Sequence, residues 1–245
     1  ILDVGVKGYA WLGNALTVDE RGTVHLAFVI YDRHPKGGKM CGYLRTPDGG
    51  KTWETADGRI MELPVTREGE CFVEKGPALD MRVNNVVLDP GGNPWFCAKH
   101  LERSPRTVLL WHYDGESWKS VDLLLALREA IPEKEMVGCT FTFDDEGVLY
   151  VACTVEEVVP RDRKWWGHPS QEVVLLVSDD RGKSFDVLRL SKKDPEKPNW
   201  LPSIERPYSA EPLEGIPCIL YTHGGPGKGC TGGPATDVVF VRLGR

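Results

Sequence analysis

Several features that would define a protein class are missing from this sequence. No run of about 18 apolar residues occurs, which excludes a membrane-spanning helix. Basic residues are not in excess, since 30 Lys and Arg against 36 Asp and Glu give a net charge of −6, so no general nucleic-acid binder is expected. The Gly-rich run GGPGKGCTGG is no phosphate loop, because Lys228 is followed by Gly229 and not by Ser or Thr. CxxC, HExxH and GxSxG motifs are also absent, which excludes a zinc ribbon, a zincin and an α/β-hydrolase.

The residues that are abundant indicate an all-β protein. The 245 residues include 27 glycines and 18 prolines, and 41% of the chain is hydrophobic. The glycines and prolines separate short apolar runs, a pattern typical of many strands joined by turns. The seven cysteines, an odd number, are expected to be mostly buried free thiols. Cys139 and Cys153 flank one predicted hairpin and can face each other.

Four segments of the chain repeat one pattern. Each consists of an apolar strand, a polar turn usually closed by Gly, and a second apolar strand. In three turns an Asp accepts hydrogen bonds from turn amides and Gly supplies a positive φ. The segments are ALTVDERGTVHLAFVIY from Ala15, VVLDPGGNPWFCAKH from Val86, FTFDDEGVLYVACTV from Phe141 and SAEPLEGIPCILYTH from Ser209.

Further strands after each hairpin complete a module. The first hairpin is followed by MCGYLRT and TPDGGKTWET, the second by TVLLWHY and DGESWKSVDL, and the third by EVVLLVS and DDRGKSFDVLRL. The fourth hairpin is followed by TDVVFVRL alone. Each module is therefore predicted to be a four-stranded antiparallel meander, the last lacking one strand. The expected modules are about 14–54, 84–121, 139–190 and 208–243, within a single domain of residues 1–245. Residues 1–13 are expected to supply the missing strand of the last module, and the run DLLLALREA a short helix capped by Asp122.

Two of the turns between third and fourth strands share the signature [ST]-x-D-x-G-x-x-[WF]. They are TPDGGKTW, with Asp48, Gly50 and Trp53, and SDDRGKSF, with Asp180, Gly182 and Phe185. The Asp can cap turn amides, the Gly permits a left-handed residue, and the aromatic ring can pack between sheets. A shortened relative is DGESW, from Asp114.

The signature resembles the Asp-box or bacterial neuraminidase repeat (BNR) of carbohydrate-active β-propellers. The segments NWLPSIERP (Asn199–Pro207) and LYTHG (Leu220–Gly224) are similar to the closing part of BNR-repeat proteins related to polysaccharide lyases. The resemblance implies a β-propeller of four-stranded antiparallel blades, with four blades recognisable, on their own or within a larger ring. It identifies the fold better than the activity, because the Asp box is a structural turn.

Meander topology divides the loops between the two ends of each sheet. Turns between first and second strands share one end with the Asp boxes, so the longer loops between second and third strands lie at the other. Each of these four longer loops contains one histidine, namely His34, His100, His168 and His223. The candidate substrate-binding residues are the last two histidines with Arg33, Lys99, Arg103, Arg161, Arg163, Trp165, Trp166 and Arg206.

This set of residues suits an anionic sugar polymer. Tryptophans can stack on sugar rings and arginines can bind a carboxylate or sulfate. In a polysaccharide lyase a base removes the proton α to a neutralised carboxylate, and an acid protonates the leaving oxygen. We assign His34 or His100 as the base and Tyr31 or Tyr208 as the acid.

Alternatives to a lyase remain at this point. A non-catalytic glycan- or protein-binding propeller is the second hypothesis, and a sialidase-like hydrolase is weaker because Arg59-Ile60 is followed by Met61 and not by Pro. No cofactor is predicted; a divalent metal on the histidines is a weaker alternative, since they are far apart in sequence. The expected partner is a polysaccharide or oligosaccharide, with no nucleic acid or membrane. The chain begins at Ile1 with neither Met nor a signal peptide, which indicates a processed or shortened chain, and the resemblance implies a secreted or periplasmic protein.

Overall fold

The chain folds into antiparallel sheets. A computed structural model describes residues 1–3, 8–12, 15–31, 39–76, 80–158, 167–207, 213–225 and 236–244. Within these ranges it contains sixteen strands in four sheets and a single helix, which confirms the all-β prediction. The residues pack as two compact units. The described parts of unit 1 fall within residues 1–103 and 109–121, and those of unit 2 within 104–108, 122–207 and 213–244.

The first two sheets contain the strands up to residue 122. Sheet one consists of β1 (Tyr9–Trp11), β2 (Leu16–Val18), β3 (Val24–Tyr31), β4 (Lys39–Thr46) and β5 (Phe72–Lys75). Sheet two consists of β6 (Met81–Leu88), β7 (Pro94–His100), β8 (Thr107–Tyr113) and β9 (Trp118–Asp122). Sheet two runs in sequence order, as expected for a meander, and both β1 and β2 pair with β3 in sheet one.

The other two sheets follow the helix α1 (Leu123–Ala130). Sheet three consists of β10 (Lys134–Phe143), β11 (Leu149–Glu157), β12 (Glu172–Ser178) and β13 (Asp186–Arg189). Sheet four consists of β14 (Asn199–Ile204), β15 (Ile219–His223) and β16 (Asp237–Val241). Sheet four has three strands in the described residues, in agreement with the prediction that the last module lacks one.

Three hairpins close through the same Asp-to-amide geometry. In Asp19, Asp89 and Asp144 the Oδ1 atom accepts hydrogen bonds from the amides two and four residues later. The glycine three residues after each Asp has φ between +79° and +85°, where a Cβ would be strained. These turns set the register of their hairpins, as the sequence predicts.

The two predicted Asp-box turns share a hydrogen-bond pattern that differs from that of the three hairpin turns. In both, Oδ1 of Asp48 or Asp180 accepts hydrogen bonds from the amides three and four residues later. The Thr52 amide is the largest cause that holds the pKa of Asp48 down at about 2, and hydrogen bonds from the Ser184 hydroxyl and then its amide lower the pKa of Asp180. Trp53 is buried in the core of sheet one, whereas Phe185 is only half-buried.

Three strands differ from the prediction. The described part of residues 1–13 does not complete the last module, because β1 pairs with β3 at the register Tyr9–Tyr31 and the two rings lie 5.0 Å apart. The strand predicted in TPDGGKTWET is present only as an isolated bridge at Glu54. The strand that pairs with β4 at this edge of the sheet is β5, so the first module extends to Lys75. In the described part of sheet four the first strand is β14, whereas the sequence predicts this strand at the start of SAEPLEGIPCILYTH, where residues 209–212 lie outside the described ranges.

The core lies between neighbouring sheets within each unit. In unit 1, Ala27, Tyr43, Val86 and Phe96 belong to one buried cluster that joins sheets one and two. In unit 2, residues of sheets three and four share a further cluster; its buried members are Tyr150, Ala152, Leu175, Ile204 and Ile219. Burial of such aliphatic and aromatic side chains provides most of the stability that fixes the strand ends.

The single helix of the described residues is short and capped as predicted. Asp122 is its N-cap and accepts a hydrogen bond from the Leu124 amide at 3.0 Å. Its apolar residues Leu123, Leu124 and Leu127 are buried. Nowhere in the described ranges is a helix both long and apolar enough to cross a bilayer.

Candidate functional site

Each sheet has ionisable or hydrogen-bonding side chains at the end that leads into its longer loop. We define the loop end of a sheet as the end where its second strand finishes and its third begins. The second strands finish at Tyr31, His100, Glu157 and His223. The first and third strands place further polar residues at the same end, among them Lys39, Lys134, Glu172 and Asn199. We therefore take the loop ends, which carry polar side chains and lead into the longer loops, as the candidate site.

At the loop ends of unit 1, His100 is held between two carboxylates. Its Nδ1 lies 2.7 Å from Glu102 Oε1 and its Nε2 lies 3.2 Å from Glu74 Oε2, with no ring surface exposed. Burial lowers the pKa of His100, but the two carboxylates outweigh burial and raise it. An imidazole whose protonated form is favoured by two adjacent carboxylates is better suited to positioning neighbours than to removing a proton.

A chain of charged contacts connects His100 with the region of Tyr31. The second Glu102 oxygen accepts from the Asp80 amide at 3.1 Å, and Asp80 binds the Lys39 ammonium at 2.5 Å. That ammonium lies over the Tyr31 ring, 5.2 Å from its centroid. The structure thus places two of the predicted catalytic residues, Tyr31 and His100, in one polar cluster.

Four other predicted binding residues are described, and three of them lie near loop ends. Lys99 on β7 is half-buried opposite Arg82, and Arg103 lies 4.0 Å from Glu102. His168 uses Nδ1 within its own turn, accepting from the Ser170 amide at 3.1 Å. Arg206 is exposed and follows the end of β14 that pairs with the start of β15, so it lies at the opposite end of sheet four from His223 and not with the predicted binding residues.

The remaining predicted site residues lie outside the described ranges. Their roles stay predictions of the sequence. They are Arg33, His34, Arg161, Arg163, Trp165, Trp166 and Tyr208.

Sequence reasoning missed a buried ionic network at the loop end of sheet three. Arg106 binds Glu156 at 2.9 Å, and its backbone amide donates to Glu135 at 2.8 Å. Glu156 also accepts from the Gln171 side chain at 2.9 Å, while Lys134 binds Glu172 at 2.6 Å. The available signal was the charged pairs Lys134-Glu135 and Glu156-Glu157 at the ends of otherwise apolar strands.

A cleft opens beside this network within unit 2. Its volume is about 420 Å³, in the range of sugar- and drug-sized sites. The segment after β13 forms one wall, and β14, β15 and β16 form the other. It is lined by Leu190, Ser191, Lys192, Lys193, Asp194, Pro195, Asn199, Tyr221, His223 and Val239. We call this site the unit 2 cleft.

The predicted residue His223 lies in the unit 2 cleft beside Tyr221, which was not predicted. The two are separated by one residue on β15, so their side chains leave the same face of the sheet with Cα atoms about 6.6 Å apart. His223 Nδ1 lies 2.9 Å from Asn199 Oδ1. Burial raises the pKa of Tyr221, which keeps its phenol protonated.

Charges around the cleft are partly compensated. Lys193 binds Glu157 at 2.5 Å, and this hydrogen bond lowers the pKa of the carboxyl group. Lys192 is exposed and lines the cleft next to it. In the described part of the chain, no group of three His, Cys, Asp or Glu side chains is arranged to hold a metal ion.

Comparison with known proteins identifies the fold. No protein-family model and no curated protein matches the sequence. An ulvan lyase of a new polysaccharide lyase family matches in structure at 13% identity with a TM-score of 0.61, over 96% of this chain and 51% of that one. The chain thus spans about half the length of that protein. An α-L-arabinanase from Penicillium chrysogenum matches at 13% identity with a TM-score of 0.55, over 94% of this chain and 61% of that one. An α-L-arabinofuranosidase from Fusarium graminearum matches at 14% identity with a TM-score of 0.54, over 98% of this chain and 64% of that one.

These similarities, together with the four sheets, show a β-propeller fold of antiparallel blades. At 13–14% identity they establish the architecture and leave the activity to the site itself. The resemblance to Asp-box families rests on the turns at Asp48 and Asp180, since no family model matches.

Proposed function

We propose that this protein is a carbohydrate-active propeller that cleaves an anionic polysaccharide at uronic-acid residues by β-elimination. The observation that supports this most strongly is the unit 2 cleft, where a histidine, a tyrosine and a lysine line one sugar-sized space. The structural neighbours support the ligand class: one ulvan lyase is bound to a glucuronate–sulfated rhamnose unit, and the arabinanase to arabinobiose.

The cleft contains the three groups that β-elimination requires. The Lys192 ammonium neutralises the uronate carboxylate, which makes the proton on the adjacent ring carbon acidic. His223 accepts that proton, and the electron pair forms the carbon–carbon double bond as the bond to the leaving glycosidic oxygen breaks. Tyr221 donates its proton to that oxygen. The products are an unsaturated uronate end and a free hydroxyl on the leaving sugar.

Residues of unit 1 and of the loops keep supporting roles in this proposal. His34, Tyr31 and Tyr208 stay candidate catalytic groups predicted from the sequence. His100, buried between two carboxylates, is proposed to position the loop-end residues of unit 1 and not to remove a proton. The arginines and tryptophans at positions 161–166 are proposed to bind neighbouring sugars of the polymer.

The decisive experiment is a cleavage assay on ulvan, alginate, pectin and glycosaminoglycans. A lyase produces unsaturated uronates, which are followed by their ultraviolet absorbance. We expect His223→Ala to reduce the rate about 100-fold or more, the usual contribution of a general base. Lys192→Ala is expected to raise KM and lower kcat together, because the ammonium binds the carboxylate before and during elimination.

Lys197→Ala is the matched control for Lys192→Ala. Lys197 is an exposed lysine of the same segment that does not line the cleft. Its removal is expected to leave the rate unchanged. If His34→Ala abolishes the absorbance rise while His223→Ala does not, the base lies in the loop after β3 and the assignment to the cleft is wrong.

A non-catalytic glycan-binding module is the second candidate. It is favoured by the burial of Tyr221, which is 7% exposed and has its hydroxyl 3.5 Å from the Leu190 carbonyl. A proton donor must leave that contact to reach a leaving oxygen. Calorimetric binding of a polysaccharide without any absorbance rise would support this module and contradict the lyase.

A further inference from the structure

We propose that Asn199 is a positioning residue that fixes His223 in the tautomer with its proton on Nδ1, so that the Nε2 lone pair serves the unit 2 cleft. The tautomer follows from hydrogen bonds alone. Its use as the base of β-elimination rests on the proposed function.

The orientation of the Asn199 amide is set by a backbone carbonyl. Its Nδ2 donates to the Lys192 carbonyl oxygen at 3.0 Å, and a carbonyl oxygen can only accept. The other end of the amide, Oδ1, therefore faces His223. Asn199 is 4% exposed, so water has little access to exchange for either partner.

The orientation of Asn199 in turn determines the proton on His223. The amide Oδ1 also only accepts, and it lies 2.9 Å from His223 Nδ1. The Nδ1 atom must therefore carry the proton, and Nε2 keeps its lone pair in the neutral ring. His223 is a wall residue of the cleft, where that lone pair can take a hydrogen bond or a proton from a sugar.

Strand pairing and neighbouring hydrogen bonds fix the positions of Asn199 and His223. Asn199 and His223 are opposite each other in the β14–β15 ladder. The residues that follow them are also bonded, since the Trp200 indole donates to the Gly224 carbonyl at 2.7 Å. The Gly224 amide donates to the Pro198 carbonyl at 2.9 Å.

The buried network of sheet three also contacts the backbone of Asn199. The backbone N–H of Asn199 donates to the backbone carbonyl of Gln171 at 3.2 Å, and the Gln171 side chain binds Glu156. Glu156 is in turn bound by Arg106. A base oriented by a second residue, itself fixed by a third, is the general arrangement of acid–base sites.

The test has a spectroscopic part that does not depend on activity. In protein labelled with ¹⁵N at histidine, two-bond proton–nitrogen correlations distinguish the tautomers. We expect His223 to show the Nδ1–H form in the wild type and to lose this preference in Asn199→Ala. The ring of His168, which bonds within its own turn, is the internal control and should not change. A wild-type His223 in the Nε2–H form would overturn the inference.

The second part is kinetic and uses a conservative variant. Asn199→Asp keeps an acceptor at Nδ1 but adds a negative charge beside the ring, which stabilises the imidazolium relative to the neutral base. The acidic limb of the pH–rate profile should therefore move to higher pH. Asn199→Ala is expected to lower kcat about tenfold with little change in KM.

The two kinds of failure are distinguishable. If no polysaccharide is cleaved, the lyase proposal fails, and the tautomer measurement still decides the inference about Asn199. If cleavage occurs and both Asn199 variants keep the wild-type kcat and pH profile, Asn199 does not position the base. Near-ultraviolet circular dichroism of each variant checks that it is folded.

Discussion

Two buried histidines of unit 1 lie in opposite electrostatic environments. His25 contacts the Tyr43 hydroxyl at 2.5 Å and is 2% exposed. Burial lowers its pKa below 6.5, and Asp19 at 3.5 Å only partly offsets burial. His100 has two carboxylate neighbours, and its pKa is raised above 6.5.

The two histidines are therefore expected to stabilise the fold over different pH ranges. A raised folded-state pKa means that His100 contributes fully below about pH 6.5 and loses its contribution as the pH rises through that pKa. The lowered pKa of His25 means that its contribution is present above about pH 6.5 and is lost as the pH falls. We expect His100→Gln to destabilise more at about pH 5.5 than at about pH 8.5, and His25→Gln to show the reverse.

Urea unfolding of the three proteins at both pH values measures this difference. Each substitution breaks buried hydrogen bonds, so the larger loss in each case should be about 1–3 kcal/mol. The wild type at the same pH is the reference for each variant, which cancels the titration of all other groups. Parallel pH dependences for the two variants would contradict these assignments of charge.

At the scale of elements, local turn chemistry was predictable and distant pairing was not. The hairpins closed by Asp19, Asp89 and Asp144 follow from an Asp and a Gly three residues apart, within a few residues of chain. The strand β5 pairs with β4 after about 25 residues without a repeat signal, so only burial of its side chains selects that partner. The first strand of sheet four was missed for the same reason.

Strand β4 contains a close approach that a single methyl group should disturb. A Cβ at Gly42 would lie 2.7 Å from Phe28 Cζ and 2.8 Å from the Cys71 carbonyl oxygen. We expect Gly42→Ala to cost about 1–3 kcal/mol, the usual effect of overpacking a core. Gly225→Ala is the control, because a Cβ there has nothing within 4 Å. Equal unfolding midpoints for the two variants in urea would show that sheet one can accommodate the added methyl group at Gly42 without loss of stability.

At the scale of the whole molecule, topology predicted that several candidate residues lie at loop ends and did not predict their partners. His100 and His223 were found because second strands of a meander end on one side. Asn199 and Tyr221 were missed because their contribution depends on the register of β14 and β15 and on a cleft wall from another segment. The charged residue Glu156 was missed because alternation predicts burial of a position, not the ion pair that makes burial tolerable.

The described cysteines are distributed over both units, so their reactivity can be used to follow the unfolding of each. None of the six described cysteines forms a disulfide, as the sequence predicts. Cys139 and Cys153 are opposite each other in the β10–β11 ladder, and Cys218 is the only one of the six that is not buried. Burial raises the pKa of Cys71 to about 11 and also that of Cys41, so little reactive thiolate forms there.

We therefore expect iodoacetamide to modify Cys218 first in the native protein, with the five buried thiols reacting only as their unit opens. Peptide mass spectrometry over a urea series gives a midpoint for each cysteine. Cys139 and Cys153 should share one midpoint, because they belong to one sheet of unit 2 that unfolds cooperatively. Modification of either in native buffer as fast as Cys218 would show that sheet three opens locally, and the buried network behind the unit 2 cleft could then not hold Asn199 in place.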